Sequence, residues 1–424
     1  DKAFDYLIPE ELLEQAKPGC RVLVPFGAGN AQRLAMILEV SPEKETQNTT
    51  KQVVAVLDEA PLLTNEAIQR VFWLKDRYVC TLFEAVKAIL PAGLWYQIRE
   101  VWHVAEGMDR CAADGAATGI RRAAPVLDAL FAAGGSAELS VLEEACGREA
   151  GTVLRALQKA GITVCETAAR RRIGDKSRRM VELAVYFTGV YMAALRGMEK
   201  AGIVAFSAEE ELRLPDLTAV EPSGPIVLNE EQEAAFQCIR TLTKTGKPEA
   251  VLLQGVTGSG KTQVYLRLVQ EILSRGRRAM VLVPEIVLTP QMMRRFSACF
   301  GDQVAMLHTS LRMTERYDHW KPIRRGPLHV VLGTRSANFA PLKNVGLIVL
   351  DEEQESSYQS ENPPRYHTRD VAKYLCARDK STLVLGSATP AVETAWNAEH
   401  GIYHKALLRQ RYNRQALPEV LVAD

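Results

Sequence analysis

Leu253-Gln254-Gly255-Val256-Thr257-Gly258-Ser259-Gly260-Lys261-Thr262 decides how this chain is read. From Gly255 to Thr262 it fits the P-loop pattern G-x-x-x-x-G-K-[ST]. The apolar Ala250-Val251-Leu252-Leu253 ahead of it predicts a buried strand, and Gln263-Val264-Tyr265-Leu266-Arg267-Leu268-Val269 behind it predicts the first turns of a helix. The glycines let consecutive backbone N–H groups turn toward one anion, and the helix N-terminus adds its partial positive charge. Gly255, Thr257, Gly258, Ser259 and Gly260 are then expected to cradle phosphates. Lys261 would reach the β- and γ-phosphates and the Thr262 hydroxyl would hold Mg²⁺. A glycine-rich loop without a ligand is the plain alternative. The strand before it, the helix after it and the full Gly-Lys-Thr ending weigh against that.

A P-loop specifies nucleotide, not reaction, so the acidic partner decides the class. Val345-Gly346-Leu347-Ile348-Val349-Leu350 is an apolar run of strand length that delivers Asp351-Glu352-Glu353-Gln354 at its C-terminal end. Asp351 there would complete the Mg²⁺ shell, and Glu352 would polarise the water that attacks the γ-phosphate. A solvated acidic loop is the bland reading of the same residues. A small-molecule kinase would need an acceptor site and a lid, and the chain beyond Asp351 spends its residues otherwise.

Those residues carry a resemblance. After Lys261 come Val283-Pro284-Glu285-Ile286-Val287-Leu288-Thr289-Pro290-Gln291, Gly333-Thr334-Arg335-Ser336-Ala337-Asn338-Phe339-Ala340-Pro341, Asp351-Glu352-Glu353-Gln354 and Gly386-Ser387-Ala388-Thr389-Pro390-Ala391-Val392-Glu393-Thr394. In this order they resemble motifs I, Ia, Ib, II and III of superfamily 2 helicases, and their wording resembles the PriA family of bacterial replication restart helicases (primosomal protein N′). Ser356 to Asp370 is similar to that family's aromatic-rich loop, which links DNA contact to ATP hydrolysis. Asn229-Glu230-Glu231-Gln232 matches the family's adenine-reading Q motif, which implies that Gln232 contacts the base. Phe4-Asp5-Tyr6-Leu7-Ile8-Pro9-Glu10 and Gly19-Cys20-Arg21-Val22-Leu23-Val24-Pro25-Phe26-Gly27 resemble the family's 3′ DNA-binding domain.

The resemblance implies an ATP-dependent 3′-to-5′ DNA helicase that recognises stalled or branched forks, binds the nascent 3′ end and promotes primosome assembly. It implies ATP and Mg²⁺ as cofactors. The implied partners are branched and single-stranded DNA, single-stranded DNA-binding protein, and primosome and helicase-loader proteins, with a monomer in the cytoplasm. It places Phe4, Asp5, Tyr6, Gly27 and Lys51 in a pocket for the terminal 3′ nucleotide. An aromatic ring suits base stacking and a carboxylate can accept from a free 3′-OH, although Phe4 and Tyr6 could also simply fill a strand's core. DNA contacts are further expected from Thr289, Arg335, Tyr358, Arg365, Tyr366 and Arg369. Arg335 as an ordinary surface arginine stays open.

Two departures stand out. Motif II in the family usually ends in His, and here the residue is Gln354, which can donate and accept hydrogen bonds but carries no proton charge. Hydrolysis is expected to survive, whereas coupling to motif III is less secured. The aromatic-rich loop offers only Tyr358 and Tyr366 around Pro363-Pro364, which shifts weight to Arg365, His367 and Arg369.

At 424 residues, length suggests two to four domains. Lys+Arg 52 against Asp+Glu 51 leaves a formal charge of +1, so any DNA surface must come from local clustering. Apolar runs long enough for a transmembrane helix are missing, and Asp1-Lys2-Ala3-Phe4 is no signal segment, so no membrane association is expected. The start lacks Met and falls where the family's first strand should be finishing, which suggests an incomplete N-terminus. The eight cysteines, at 20, 80, 111, 146, 165, 238, 299 and 376, lie outside metal-ligand spacing, so no zinc site is expected here. They read as reduced, cytosolic core residues. By resemblance the zinc cysteines, motifs IV to VI and the arginine finger belong to a second lobe beyond Asp424.

The expected architecture is multidomain α/β: a β-rich 3′ DNA-binding domain over 1–104, a winged-helix region over 115–215, and one RecA-like P-loop lobe with a parallel sheet over 222–424. Arg21–Pro25 and Arg33–Val40 flank Gly27-Ala28-Gly29-Asn30 as a hairpin, and Glu66 to Leu90 has helical period up to Pro91. Helices near Ala124–Leu130, Leu139–Ala145 and Gly151–Leu157, then Ile162–Cys165 and Arg170-Arg171-Arg172, describe three helices and a wing, an architecture that serves protein contacts as often as DNA. Ala156-Leu157-Gln158-Lys159-Ala160-Gly161-Ile162 echoes in Leu195 to Ile203, so a second, incomplete unit is plausible, with residues lost between about 181 and 189 or the unit degenerate. From Pro222 on, strands centred near Leu252, Leu282, Met306, Val331, Ile348 and Leu385 alternate with helices.

A rival from another class is a fork-binding scaffold that binds ATP without unwinding. A restriction-type or recombination translocase would share the motor but not the domain from Phe4 to Lys51.

Overall fold

The computed structural model describes residues 3–27, 30–41, 51–94, 96–171, 177–183, 204–210 and 224–412. The chain divides into two compact units, 1–69 with 94–172, and 70–93 with 173–424.

In the first unit, β1 (Arg21–Phe26) pairs antiparallel with β2 (Ala31–Met36) and with β3 (Ala55–Val56). The expected hairpin is present, with Val22 and Val24 pointing into a small core shared with Val53. Arg21 is buried beneath it. Its backbone N–H donates to Asp58 Oδ2 at 2.8 Å and its Nε donates to the same oxygen at 2.9 Å, which ties β1 to the residues after β3. A buried ion pair of this kind survives because the carboxylate accepts from both the guanidinium and the backbone N–H of Arg21.

The stretch from Glu66 to Leu90 is two helices, α1 (Asn65–Tyr78) and α2 (Leu82–Ile89). Thr81 stops the continuation: its hydroxyl accepts from the Glu84 N–H while Glu84 reaches back to the Thr81 N–H, a capping box. Residues 70–93 group with the unit that carries the P-loop. There Trp73 stacks on Tyr374 with ring centroids 4.5 Å apart.

The helical region is preceded by β4 (Tyr96–Val104). After α3 (Arg110–Ala116) come α4 (Ala123–Ala132), β5 (Ser136–Glu138), α5 (Leu139–Cys146), α6 (Ala150–Lys159) and β6 (Thr163–Arg171). The sheet order is β5-β4-β6, and β4 pairs with β6 along its whole length. Leu127, Leu130, Leu142, Leu154 and Leu157 fill the core against Trp102. Next, β7 (Ser177–Leu183) pairs antiparallel with β8 (Val204–Glu210). The sequence echo at Leu195 to Ile203 lies outside the described residues.

The second unit holds the motor. After α7 (Glu230–Leu242) the chain runs β9 (Glu249–Gly255), α8 (Lys261–Ser274), β10 (Arg278–Leu282), α9 (Pro290–Phe300), β11 (Val304–Leu307), α10 (Met313–Arg325), β12 (Val330–Gly333), β13 (Val345–Leu350), α11 (Thr368–Asp379), β14 (Thr382–Ser387), α12 (Val392–Glu399) and β15 (His404–Leu408). All seven strands are parallel, in the order β11-β12-β10-β13-β14-β9-β15. The six strands expected from the sequence are all present. β15 at the edge is additional. The strands β13 and β14 are buried throughout because helices cover both faces of such a sheet.

Candidate functional site

Topology sets the site. β13, β14 and β9 are neighbours, so the loops after Leu350, Ser387 and Gly255 leave the sheet side by side at its C-terminal edge, where open α/β sheets place their ligands. Gly258 and Gly260 take φ of +80° each, a backbone that other residues rarely adopt, and α8 starts at Lys261. Lys261 is buried; its Nζ donates to the Gly255 carbonyl at 3.1 Å and sits 3.4 Å from Glu352 Oε1. A flexible cation held by one carbonyl and one carboxylate is poised to exchange them for phosphate oxygens.

The residues fit a nucleotide with Mg²⁺. Ser259 Oγ is buried inside the loop without a hydrogen-bond partner among the described residues, as an oxygen awaiting a ligand would be. Thr262, Asp351 and Glu352 offer hard oxygen donors suited to Mg²⁺. Among the described residues no three His, Cys, Asp or Glu side chains gather around one point, so an ion at the loop would draw the rest of its shell from phosphates and water.

Motif II is held from several sides. Burial lifts the Asp351 carboxyl to about 6 despite a bond from the Tyr265 hydroxyl, which donates to Oδ1 at 2.8 Å. Glu352 adopts a left-handed φ of 46°, a strained turn that puts its side chain toward Lys261. Gln354 Nε2 donates to Glu352 Oε2 at 2.9 Å, and its Oε1 accepts from the Ser387 hydroxyl at 2.6 Å. The glutamine thus spans motifs II and III without a titrating proton. Glu353 is buried and structural: Oε1 accepts from the Ala391 N–H at 2.7 Å and Oε2 from the Thr394 hydroxyl at 2.9 Å.

Gln232 is fully buried. Its amide N–H donates to the Ser259 carbonyl at 2.9 Å and its oxygen accepts from the Asn229 N–H at 3.0 Å. Both ends of the side chain are engaged, so it braces the P-loop and does not present itself to a base as expected.

Several expected DNA contacts are corrected by burial. Tyr358 has no exposed surface; its hydroxyl lies 2.6 Å from the Asp351 carbonyl and 3.0 Å from that of Leu282. Tyr366 is buried edge-on against Phe339, centroids 4.9 Å apart. A ring without a free face cannot stack a base. Arg369 donates from Nη1 to Glu353 Oε2 at 3.2 Å and to Thr394 Oγ1 at 2.9 Å, so its guanidinium ties the helix α11 to motifs II and III. Arg335 is partly diverted as well, donating to the carbonyls of Ser357, at 3.1 Å, and Gln359. Its fork braces the aromatic-rich loop. Arg365 remains exposed on that loop, and Thr289 is exposed where its hydroxyl accepts from the Met292 N–H at 3.2 Å and caps α9.

In the first unit, Phe4 and Asp5 are exposed, Tyr6 is half-buried with its hydroxyl donating to the Pro25 carbonyl at 3.1 Å, and Lys51 Nζ donates to the Gly27 carbonyl at 2.6 Å. Phe26, which the sequence reading passed over, is exposed and packs edge-to-face on Phe4 with centroids 5.1 Å apart. The signal available was its place directly before Gly27.

Comparison with known proteins gives this geometry a family context. The PriA 3′DNA-binding domain model matches residues 1–91, and the DEAD/DEAH box helicase model matches 229–397. Replication restart protein PriA of Bacillus subtilis (strain 168) is 33% identical across the whole chain, which covers 56% of it. The proteins of the same name from Chlamydia pneumoniae and Haemophilus influenzae are 31% and 30% identical over 97% and 100% of this chain, which covers 50% and 52% of them. The chain therefore spans about half the length of the curated relatives it matches. RecG bound to a three-way DNA junction is similar in structure over 44% of this chain and 24% of its own, at 27% identity and a TM-score of 0.34.

Proposed function

We propose, from the premise that this chain belongs to the PriA family of replication restart helicases, that it carries the ATP-driven half of a motor together with the reader of a free 3′ end. The whole protein would unwind branched DNA with 3′-to-5′ polarity at stalled forks and promote primosome assembly. It would work with single-stranded DNA-binding protein and helicase loaders as a cytoplasmic monomer. Among the described residues no helix is long and apolar enough to cross a membrane.

The observation that supports the motor best is the bridge Glu352–Gln354–Ser387 beside the P-loop lysine. It joins the carboxylate nearest the phosphates to motif III by two hydrogen bonds. Gly255 to Gly260 would hold the phosphates by backbone N–H groups, and Lys261 would let go of the Gly255 carbonyl to meet the β- and γ-oxygens. Bound Mg²⁺ would supply charge neutralisation on the phosphate oxygens, held through Thr262 and Asp351. Glu352, freed from Lys261, would orient the attacking water and accept its proton. Gln354 and Ser387 would pass that change to motif III and onward to DNA held by Thr289, Arg335 and Arg365. At the other end of the chain, Phe4 would stack the terminal base and Asp5 would accept from the 3′-OH.

The test is nucleotide hydrolysis with and without forked DNA in the full-length protein. Lys261→Ala is expected to lose nucleotide binding or turnover, and Glu352→Gln to keep binding but lose turnover. Equal ATPase in wild type and Glu352→Gln would overturn the motor. Asp5→Ala is expected to weaken binding to forks with a 3′-OH and to leave 3′-phosphate forks nearly unchanged. Equal losses on both would make Asp5 a structural residue.

A further inference from the structure

Tyr265 sits in the second turn of α8, fully buried, and the roles assigned above leave it unused. Its hydroxyl donates to Asp351 Oδ1 at 2.8 Å across 86 residues of chain. The third party is Gly386 on β14. A methyl group there would lie 1.7 Å from the Tyr265 oxygen and 3.2 Å from Asp351 Oδ1. Only a glycine lets the phenol lie against the strand and still reach the carboxylate. P-loop helix, motif II and motif III therefore meet at one dry contact.

The backbone of Asp351 is fixed separately, because the Tyr358 hydroxyl lies 2.6 Å from its carbonyl. With the main chain held, the remaining freedom of the carboxylate is its own side-chain rotation, which the Glu352 backbone N–H and the Tyr265 hydroxyl oppose, Tyr265 being the side chain that does so. The choice of donor matters. An arginine or lysine would orient the carboxylate equally well but would cancel the charge that attracts a cation. A neutral hydroxyl orients it and leaves that charge in place. The Tyr265 hydroxyl bonds the Asp351 carboxylate, whereas Lys261 Nζ bonds the Gly255 carbonyl, so the phenol acts on the carboxylate and not on the phosphate cradle.

We infer that Tyr265 is a positioning residue for Asp351, setting how tightly the divalent cation of a bound nucleotide is held while leaving the affinity for the nucleotide itself unchanged. The inference rests on the ATP and Mg²⁺ reading given above. Its test is a Mg²⁺ titration of fluorescent ATP-analogue binding to the 424-residue chain, with thermal melts alongside. Tyr265→Phe keeps the ring and removes the donor. It is expected to raise the Mg²⁺ midpoint roughly tenfold, the value of one hydrogen bond to a charged group, while binding in EDTA stays within about twofold, a mark of cradle integrity. Gly386→Ala displaces the phenol without deleting it and is expected to shift the midpoint the same way, so it decides the matter should Tyr265→Phe fail to fold. Asp351→Asn separates the two levels of the argument. If it leaves the Mg²⁺ dependence intact, the cation site itself is misread. If it flattens the dependence while Tyr265→Phe and Gly386→Ala keep the wild-type midpoint, or weaken binding equally in EDTA, Tyr265 only supports the fold and the inference is overturned.

Discussion

Ser387 donates its hydroxyl to the side-chain oxygen of Gln354 at 2.6 Å, and the same amide turns its N–H to Glu352 at 2.9 Å. Gln354→Leu removes both bonds, one of them to a carboxylate. At about 1 kcal/mol for the neutral bond and about 1.5 to 3 kcal/mol for the charged one, DNA-stimulated hydrolysis is expected to fall roughly tenfold or more. Unstimulated hydrolysis should change less, because Asp351, Glu352 and Lys261 stay in place. Gln354→His should restore stimulation near pH 6 to 7 with a pH dependence that the wild type lacks, since imidazole titrates there and an amide does not. Parallel loss of basal and stimulated rates in Gln354→Leu would show that the bridge builds the site and does not couple it.

Arg21 and Asp58 predict a stability effect far from the nucleotide. Asp58→Ala leaves a buried guanidinium and a buried backbone N–H without their shared acceptor. The expected loss is about 3 to 5 kcal/mol in chemical denaturation of the first unit. Asp58→Asn keeps an acceptor but not the charge and should lie between. A loss under about 1 kcal/mol for Asp58→Ala would place the pair among ion pairs of surface strength.

The motor was legible from its strands because each is a continuous apolar run followed by a motif. β15 escaped because His404–Leu408 is an edge strand with alternate residues exposed. The aromatic-rich loop was misread for a different reason. Tyrosines in a polar, proline-bearing segment look like ligand-facing rings, yet the Asp351 carbonyl just after β13 accepts from the Tyr358 hydroxyl, which holds that ring inside. Arg369 could not be placed because its partners, Glu353 and Thr394, lie 16 and 25 residues away. The pair Phe4–Phe26 was half seen, since the edge-to-face packing depends on Leu7 bridging to Gln52 and Tyr6 reaching Pro25, contacts distant in sequence.

Phe26→Ala tests that pair. It removes one exposed ring and leaves Phe4 without its edge contact. Stacking of one base on an aromatic ring contributes about 1 to 3 kcal/mol, so affinity for a 3′-recessed oligonucleotide is expected to fall at least about fivefold. Phe26→Tyr should retain most of it. Fluorescence anisotropy with 3′-OH and 3′-phosphate ends distinguishes the roles, because a stacking loss affects both substrates alike. Unchanged binding to both would make Phe26 a packing residue only.

His319 carries the pH prediction. It lies in α10, almost wholly buried, and among the described residues neither ring nitrogen has a hydrogen-bond partner. Burial, and then the nearby His308, push its pKa from 6.5 down to about 4, with Asp318 and Glu315 opposing. In the folded state the ring stays neutral, while in the unfolded chain it protonates near 6.5. The unfolded state therefore binds more protons between about pH 6.5 and 4, and stability falls as pH falls through that window. Between pH 7.5 and 5 this one group should remove roughly 2 kcal/mol, of a ceiling near about 3 kcal/mol set by the full shift. His319→Leu deletes the ring and with it this slope; the carboxylates and His308 remain in both proteins, so their contribution cancels in the comparison. Melting temperatures measured at pH 7.5 and 5 should therefore drop further in the wild type than in His319→Leu, by several degrees. Identical drops in the two proteins would mean that His319 is protonated, or reached by water, in the folded state.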